Sequence, residues 1–103
     1  MRKKYIHKEA VISKGTKAKN FFIVLSGRLL VMDTHGNSIK KIIYKNEFYG
    51  LLECLSMKEW NNTVISERNS ELFFVSAEVF YKNIFSSKEI KNLAIPILKM
   101  IRV

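Results

Sequence analysis

The chain has 103 residues, 48% of them hydrophobic and 12% aromatic, enough for one genuine core and too apolar for a disordered segment. No apolar run approaches the roughly 20 residues of a membrane span, and the basic "MRKK" start leads into "YIHKEAVIS", too polar for a signal peptide. The single Cys54 excludes an internal disulfide and a cysteine-based metal cluster, so a cytoplasmic location is the simplest reading. The net charge is +9, from 18 Lys/Arg against 9 Asp/Glu. That excess suits an anionic ligand, nucleic acid or lipid, but the lysines are scattered and never form a block of five or six. A solvated, lysine-rich surface accounts for them.

In chain order, "YIHKEAVISKG" gives two short extended pieces, Tyr5–His7 and Ala10–Ser13, closed by Gly15. "NFFIVLSG" predicts the central strand. Phe21, Ile23 and Leu25 point one way and Phe22 and Val24 the other, so both faces are apolar. Gly27 permits a bend or bulge before "RLLVMD". "DTHGNS" reads as a hairpin turn and "IKKIIY" as the returning strand. "TVIS" (63–66) and "ELFFV" (71–75) are expected to pair with each other across "ERNS".

After Ser76 the hydrophobic period becomes helical. Ser76 is the expected N-cap of a helix with Glu78 in its first turn and Val79, Phe80 and Ile84 on one side. "SSKE" fits a capping box, Ser86 at the N-cap and Glu89 at N3, before a helix whose stripe is Ile90, Leu93, Ala94, Ile97 and Ile101. Pro96 lies inside that stripe and predicts a kink. The expected fold is mainly β with C-terminal α-helices: an antiparallel β-roll of the jelly-roll or double-stranded β-helix kind. One domain fills residues 1–103, with strands over about 5–75 and helices over about 77–102.

This order of landmarks resembles the cyclic-nucleotide-binding domains, including the effector domains of catabolite-activator and fumarate-nitrate-regulator-type transcription regulators. "KGTKAKNFFIVLSGRLLVMDTHGNSIKKI" is similar to the family's first half, with Gly15, Gly27 and Gly36 in the expected places. "KNEFYG" is similar to the family's Gly-Asp-x-Phe-Gly approach to its ligand cassette, with Asn46 and Glu47 replacing the Gly and Asp. "NNTVIS" and "SELFFVS" complete the order.

The resemblance places a phosphate-binding cassette between Gly50 and Thr63. In the family a short helix after the glycine holds a cyclic phosphate on its free N–H groups. A glutamate binds the ribose hydroxyl, and an arginine at the far end pairs with the phosphate. Position by position, Gly50 matches the glycine, Leu51 falls on the glutamate and Trp60 on the arginine. Leu51 cannot accept a hydrogen bond, and Trp60 can only donate one, uncharged. Losing the arginine costs about 2–5 kcal/mol, on the order of thirtyfold or more in affinity. Glu53 and Lys58 are the neighbours that could substitute, although Glu53 is expected to point elsewhere.

The candidate ligand-binding residues are therefore Gly50, Leu51, Leu52, Trp60, Asn61, Asn62 and Thr63. The effector implied is cAMP, cGMP or another small anion. Each residue has a plainer reading. Gly50 admits a turn into a helix, Trp60 caps the core, and Cys54 is a small buried hydrophobe. His7 and His35 are isolated, unlike the clustered ligands of a metal-dependent jelly-roll enzyme, and nothing supports catalysis. The resemblance implies a homodimer through the C-terminal helix, whose stripe suits a core equally well. It also implies DNA contact only through a domain absent from this chain. Two readings stand: a non-catalytic regulatory sensor with a degenerate cassette, or a ligand-free interaction module whose pocket is filled by its own side chains.

Overall fold

The computed structural model describes residues 1–56 and 58–86. Eight strands run from Arg2 to Ser76: β1 (Arg2–Tyr5), β2 (Ala10–Ile12), β3 (Asn20–Ser26), β4 (Leu29–Met32), β5 (Ile39–Ile43), β6 (Phe48–Tyr49), β7 (Val64–Ser66) and β8 (Ser70–Ser76). Helix α1 (Leu51–Leu55) sits between β6 and β7, and α2 (Ala77–Ser86) follows β8. The strands form two four-stranded antiparallel sheets, ordered β1-β8-β3-β6 and β2-β7-β4-β5. This is the expected β-roll.

β3 is interior, between β8 and β6. Its two faces are used differently. Phe22 and Val24 are 0% exposed and join Leu29, Val31, Ile43, Val64 and Leu72 in the core between the sheets. Phe21, on the opposite face, is covered by Phe80 of α2 in an edge-on contact at 5.1 Å. An all-apolar strand thus buries one face on a sheet and the other under a helix. Val79 was expected beside Phe80 but is 55% exposed, because neighbours on a helix diverge by about 100°. Ser76 does cap α2: its Oγ accepts from the Val79 N–H at 3.4 Å. Ser86 is the last residue of α2. The Ile84 side chain, the capping box beyond Ser86, the Ile90–Ile101 stripe and the Pro96 kink lie outside the described residues. Among the described residues no helix is long and apolar enough to cross a membrane.

The expected pairing of "TVIS" with "ELFFV" does not form. β7 lies between β2 and β4 in one sheet, whereas β8 lies between β1 and β3 in the other. The connection at Glu67–Asn69 is a corner that passes the chain between sheets, not a hairpin turn. Gly27 makes the matching corner between β3 and β4. The corners touch: a Cβ on Gly27 would stand 2.2 Å from Ser70 Oγ and 2.7 Å from the Asn69 carbonyl oxygen. Arg28 donates its N–H to Ser70 Oγ at 3.1 Å, and its guanidinium makes a two-pronged pair with the Glu67 carboxylate. That pair holds Glu67 below the usual carboxylate range.

The first strand begins earlier than expected and His7 falls outside it, since Arg2 and Lys3 pair with Phe73 and Leu72 at the sheet edge and the chain then turns through Lys8 at φ +66°. The "DTHGNS" turn forms as predicted. Asp33 accepts from the Asn37 N–H at 2.8 Å and the Ser38 hydroxyl at 2.9 Å.

Gly27 and Gly36 both have positive φ, +85° and +75°, but only Gly27 is enclosed. Gly36→Ala is expected to cost about 1 kcal/mol for the left-handed backbone alone. Gly27→Ala is expected to cost at least about 3 kcal/mol, because backbone cannot yield to the new methyl as a side chain can. Urea midpoints of the two variants measure the difference, and equal losses would remove the corner contact as a determinant of the fold.

Candidate ligand-binding cleft

β6 pairs with β3 through Tyr49 and Phe22 and ends at Gly50, whose φ of +96° starts α1 without a side-chain cap. The segment after α1 returns beside the first turn of the chain. Trp60 N–H donates to the Thr16 carbonyl and the Gly15 N–H to the Trp60 carbonyl, each at 2.8 Å, while Ala18 N–H donates to the Lys58 carbonyl at 3.0 Å. These backbone bonds fix where the indole goes. It stacks on Tyr49 at 6.0 Å with 17° between the rings, and its six-membered ring lies on Gly50. A Cβ at Gly50 would be 2.3 Å from Trp60 Cη2. Glycine is needed there twice over, for its φ and for the space. Trp60 is 6% exposed and belongs to the core.

A cleft of about 210 Å³ opens beside this stack. Strands β4 and β5 supply Val31, Lys40 and Lys41; β6 and α1 supply Tyr49 and Glu53; Trp60, Asn61 and Asn62 complete the lining. Asn62 is 6% exposed. Its Nδ2 donates to the Met32 carbonyl at 2.8 Å, and its Oδ1 accepts from Lys40 Nζ at 3.5 Å. Cleft and stack therefore share Trp60.

Of the seven candidate residues, three line the cleft: Trp60, Asn61 and Asn62. Gly50 is roofed by the indole. Leu51 is half-buried against the core, and Leu52 is 57% exposed and lines nothing. Thr63 is occupied with structure: its hydroxyl accepts from the Lys14 N–H at 3.2 Å and its carbonyl from the Met32 N–H at 2.9 Å. Glu53, expected to point elsewhere, lines the cleft, whereas Lys58 is exposed outside it.

Lys40, Lys41 and Tyr49 were missed by the sequence reading. The signal for the lysines is a register break. Val31 pairs with Lys41 but Met32 pairs with Ile39, which leaves Lys40 as an extra residue in β5. A bulge of this kind re-aims side chains, and no residue pattern announces it.

Cys54 on α1 is 4% exposed, the small buried hydrophobe that was expected. Burial first, and Glu53 second, push its thiol up to about 11. The same two causes raise the Tyr49 hydroxyl. Among the described residues no group of three or more His, Cys, Asp or Glu gathers to hold a metal ion.

A family model described as the cyclic nucleotide-binding domain matches residues 2–87. The chain belongs to the cyclic nucleotide-binding domain family. Members of that family are regulatory binding domains, and the match spans every strand of the roll and the whole of α2. Comparison with curated protein sequences gives no significant match.

Among solved structures, the EAL enzyme Bd1971 in its half-site-occupied form superposes with a TM-score of 0.85 at 17% identity, over 99% of this chain and 95% of that one. A protein from Ruegeria pomeroyi described as a putative cyclic nucleotide binding protein gives 0.83 at 16% identity, over 97% of this chain and 45% of that one. The regulatory subunit of a cAMP-independent protein kinase A from Trypanosoma brucei gives 0.69 at 18% identity, over 75% of this chain and 28% of that one. At such identities these likenesses concern the fold.

Trp60→Ala is expected to cost about 3–5 kcal/mol, the range for removing a large buried aromatic. Gly50→Ala is expected to destabilise the wild type strongly but the Trp60→Ala background only by its backbone term, about 1–2 kcal/mol. Chemical denaturation of the two single variants and the double one measures this coupling; additive losses would mean the indole does not rest on Gly50.

The raised thiol favours the folded state below the unfolded thiol value of about 8.5, and that contribution fades as pH rises toward the folded value. Thermal stability should therefore fall between about pH 9 and 11 more steeply in the wild type than in Cys54→Ala. Iodoacetamide at pH 8 should modify the thiol only after unfolding. Rapid native labelling would contradict the burial.

Proposed function

We propose that this chain is a non-catalytic ligand-sensing domain whose cassette has lost the chemistry of standard cAMP and cGMP binding. Its role resembles that of effector domains in catabolite-activator-type transcription regulators. The observation that carries this reading is the Trp60 indole lying on Gly50. An uncharged, core-packed ring stands where a phosphate-pairing arginine is needed, and Leu51 stands where a ribose-binding glutamate is needed. The open cleft supports the same conclusion, since 210 Å³ is below the roughly 300–1,000 Å³ of ordinary ligand sites. The neighbour described as cAMP-independent is consistent with regulation on this fold without that nucleotide.

A signal has a physical route. Trp60 and Glu53 line the cleft, Glu53 is on α1, and α1 contacts α2. Phe80 of α2 rests in turn on Phe21 of β3. A ligand that moved α1 would bias α2 and whatever follows it. Homodimerisation through the apolar stripe after Ser86 belongs to this proposal, and we assign no DNA contact to the chain itself.

The self-filled interaction module is the second reading, and the indole over Gly50 favours it as well. It differs in expecting no occupant of the cleft at all.

Calorimetry and thermal shift with cAMP and cGMP test the main reading. At about 1 mM ligand, a dissociation constant of about 10 µM would stabilise the fold by about 2.7 kcal/mol. For a domain of this size that is a shift of roughly 10 °C or more. The expectation is no heat and a shift of less than about 1 °C. A clear shift with either nucleotide would overturn the loss of cassette chemistry.

A further inference from the structure

We infer that the cleft beside Trp60 is a site for a compact hydroxylated anion, a small organic phosphate or hydroxy acid, held by Lys40 and Lys41. The inference rests on the reading that the cassette itself no longer takes cyclic nucleotides.

The argument begins with alternation. On β4, Leu29 and Val31 face the core, and on β5 so does Ile43. Lys41 is two residues before Ile43 and pairs directly with Val31, so period two puts a lysine on the core-facing side of the sheet. It is tolerated there because the cleft opens at that point. Without a bulge, Lys40 would project from the opposite face. The extra residue in β5 is Lys40 itself, and the result is that two consecutive lysines line one cleft.

The surroundings fit an anion. The ion pairs among the described residues are Arg2–Glu71, Arg28–Glu67, Arg68–Glu67 and Lys82–Glu78. Neither cleft lysine is neutralised by a carboxylate. Lys40 reaches only the side-chain oxygen of buried Asn62, whose other end is committed to the Met32 carbonyl. Two ammonium groups in one cleft repel each other, and a shared anion removes that repulsion. Glu53, in the same lining but in no ion pair with either lysine, sets the other half of the specificity. It repels a second acid group and accepts from a hydroxyl.

Volume sets the rest. At about 210 Å³ the cleft lies below the roughly 300–1,000 Å³ of ordinary ligand sites, which suits a glycerol phosphate or a short hydroxy acid better than a nucleotide. In this arrangement the positive charge that Trp60 removed from the cassette returns from β5.

Trp60 is the only tryptophan in the chain and lines the cleft, so its fluorescence reports occupancy. The full chain is titrated with glycerol 3-phosphate, with glycerate and with cAMP, against glycerol and sodium chloride at matched ionic strength. The expected result is a saturable change with glycerol 3-phosphate or glycerate, half-complete below about 1 mM, and none with the controls. Which of the two responds separates phosphate from carboxylate chemistry. In Lys40→Gln/Lys41→Gln the response should weaken at least tenfold. Both side chains are exposed, and circular dichroism confirms that this variant folds. In Lys3→Gln/Lys4→Gln, on β1 of the other sheet, it should be unchanged.

Equal weakening in both double variants would reduce the effect to diffuse charge and overturn the site. Silence from both anions, with cAMP also silent, overturns this inference alone. Saturation by cAMP at micromolar concentration overturns the reading beneath it as well.

Discussion

The roll is held in register where its two inter-sheet corners meet. Gly27 turns the chain from β3 to β4, and Glu67–Asn69 turn it from β7 to β8, each crossing between the same two sheets. The corners are packed so tightly that a single methyl on Gly27 would collide with Asn69 and Ser70. Once they are locked, β3 must lie beside β8 and β4 beside β7. That puts Phe22, Val24, Leu29 and Leu72 in one core. The two-pronged Arg28–Glu67 pair joins the corners from the solvent side. Its carboxylate is stabilised as the anion, so this tie is present near neutrality and weakens as pH falls through the lowered Glu67 value.

The site inherits its shape from that frame. β6 is a two-residue strand that pairs with β3, and it can deliver Tyr49 and Gly50 to one place only. The segment carrying Trp60 is fixed independently, by backbone bonds to Gly15, Thr16 and Ala18. The indole and the glycine meet because two separate backbone ladders aim them at each other. Tyr49 and Trp60 are held by contacts within the protein.

Local chemistry was legible in the sequence, and long-range partnership was not. The apolar alternation of Phe21–Leu25, the Asp33–Ser38 turn and the Ser76 cap all depend on residues close in sequence, and each is present in the structure. The order of motifs pointed to the family, and the resemblance singled out Gly50 and Trp60, which the structure brings into contact. What failed depended on which strand lies beside which. A turn signal such as "ERNS" says that the chain reverses but not that it changes sheets. Likewise, a pair of lysines on an edge strand reads as solvated surface until a register break places both on one side. Leu52 and Thr63 entered the candidate list by sequence proximity to the glycine and to the strand. A five-residue helix has room to direct only some of its side chains inward, and Thr63 is taken up by Lys14 and Met32.

Trp60 belongs at once to the core and to the lining of the cleft. A guanidinium there would stay hydrated or seek an anion, because burying it unpaired costs several kcal/mol; an empty cassette would then be a weak point in the fold. An indole at the same position gains from being buried, closes over Gly50 and stacks on Tyr49 whether or not anything is bound. The packing around Gly50 is thereby complete within the protein itself. Charge for any ligand must come from a strand whose side chains are not needed for the core, and β5, at the edge of its sheet, is such a strand. Its lysines can serve a cleft without weakening the roll, since the buried end of β5 is held by Ile43 against Leu29.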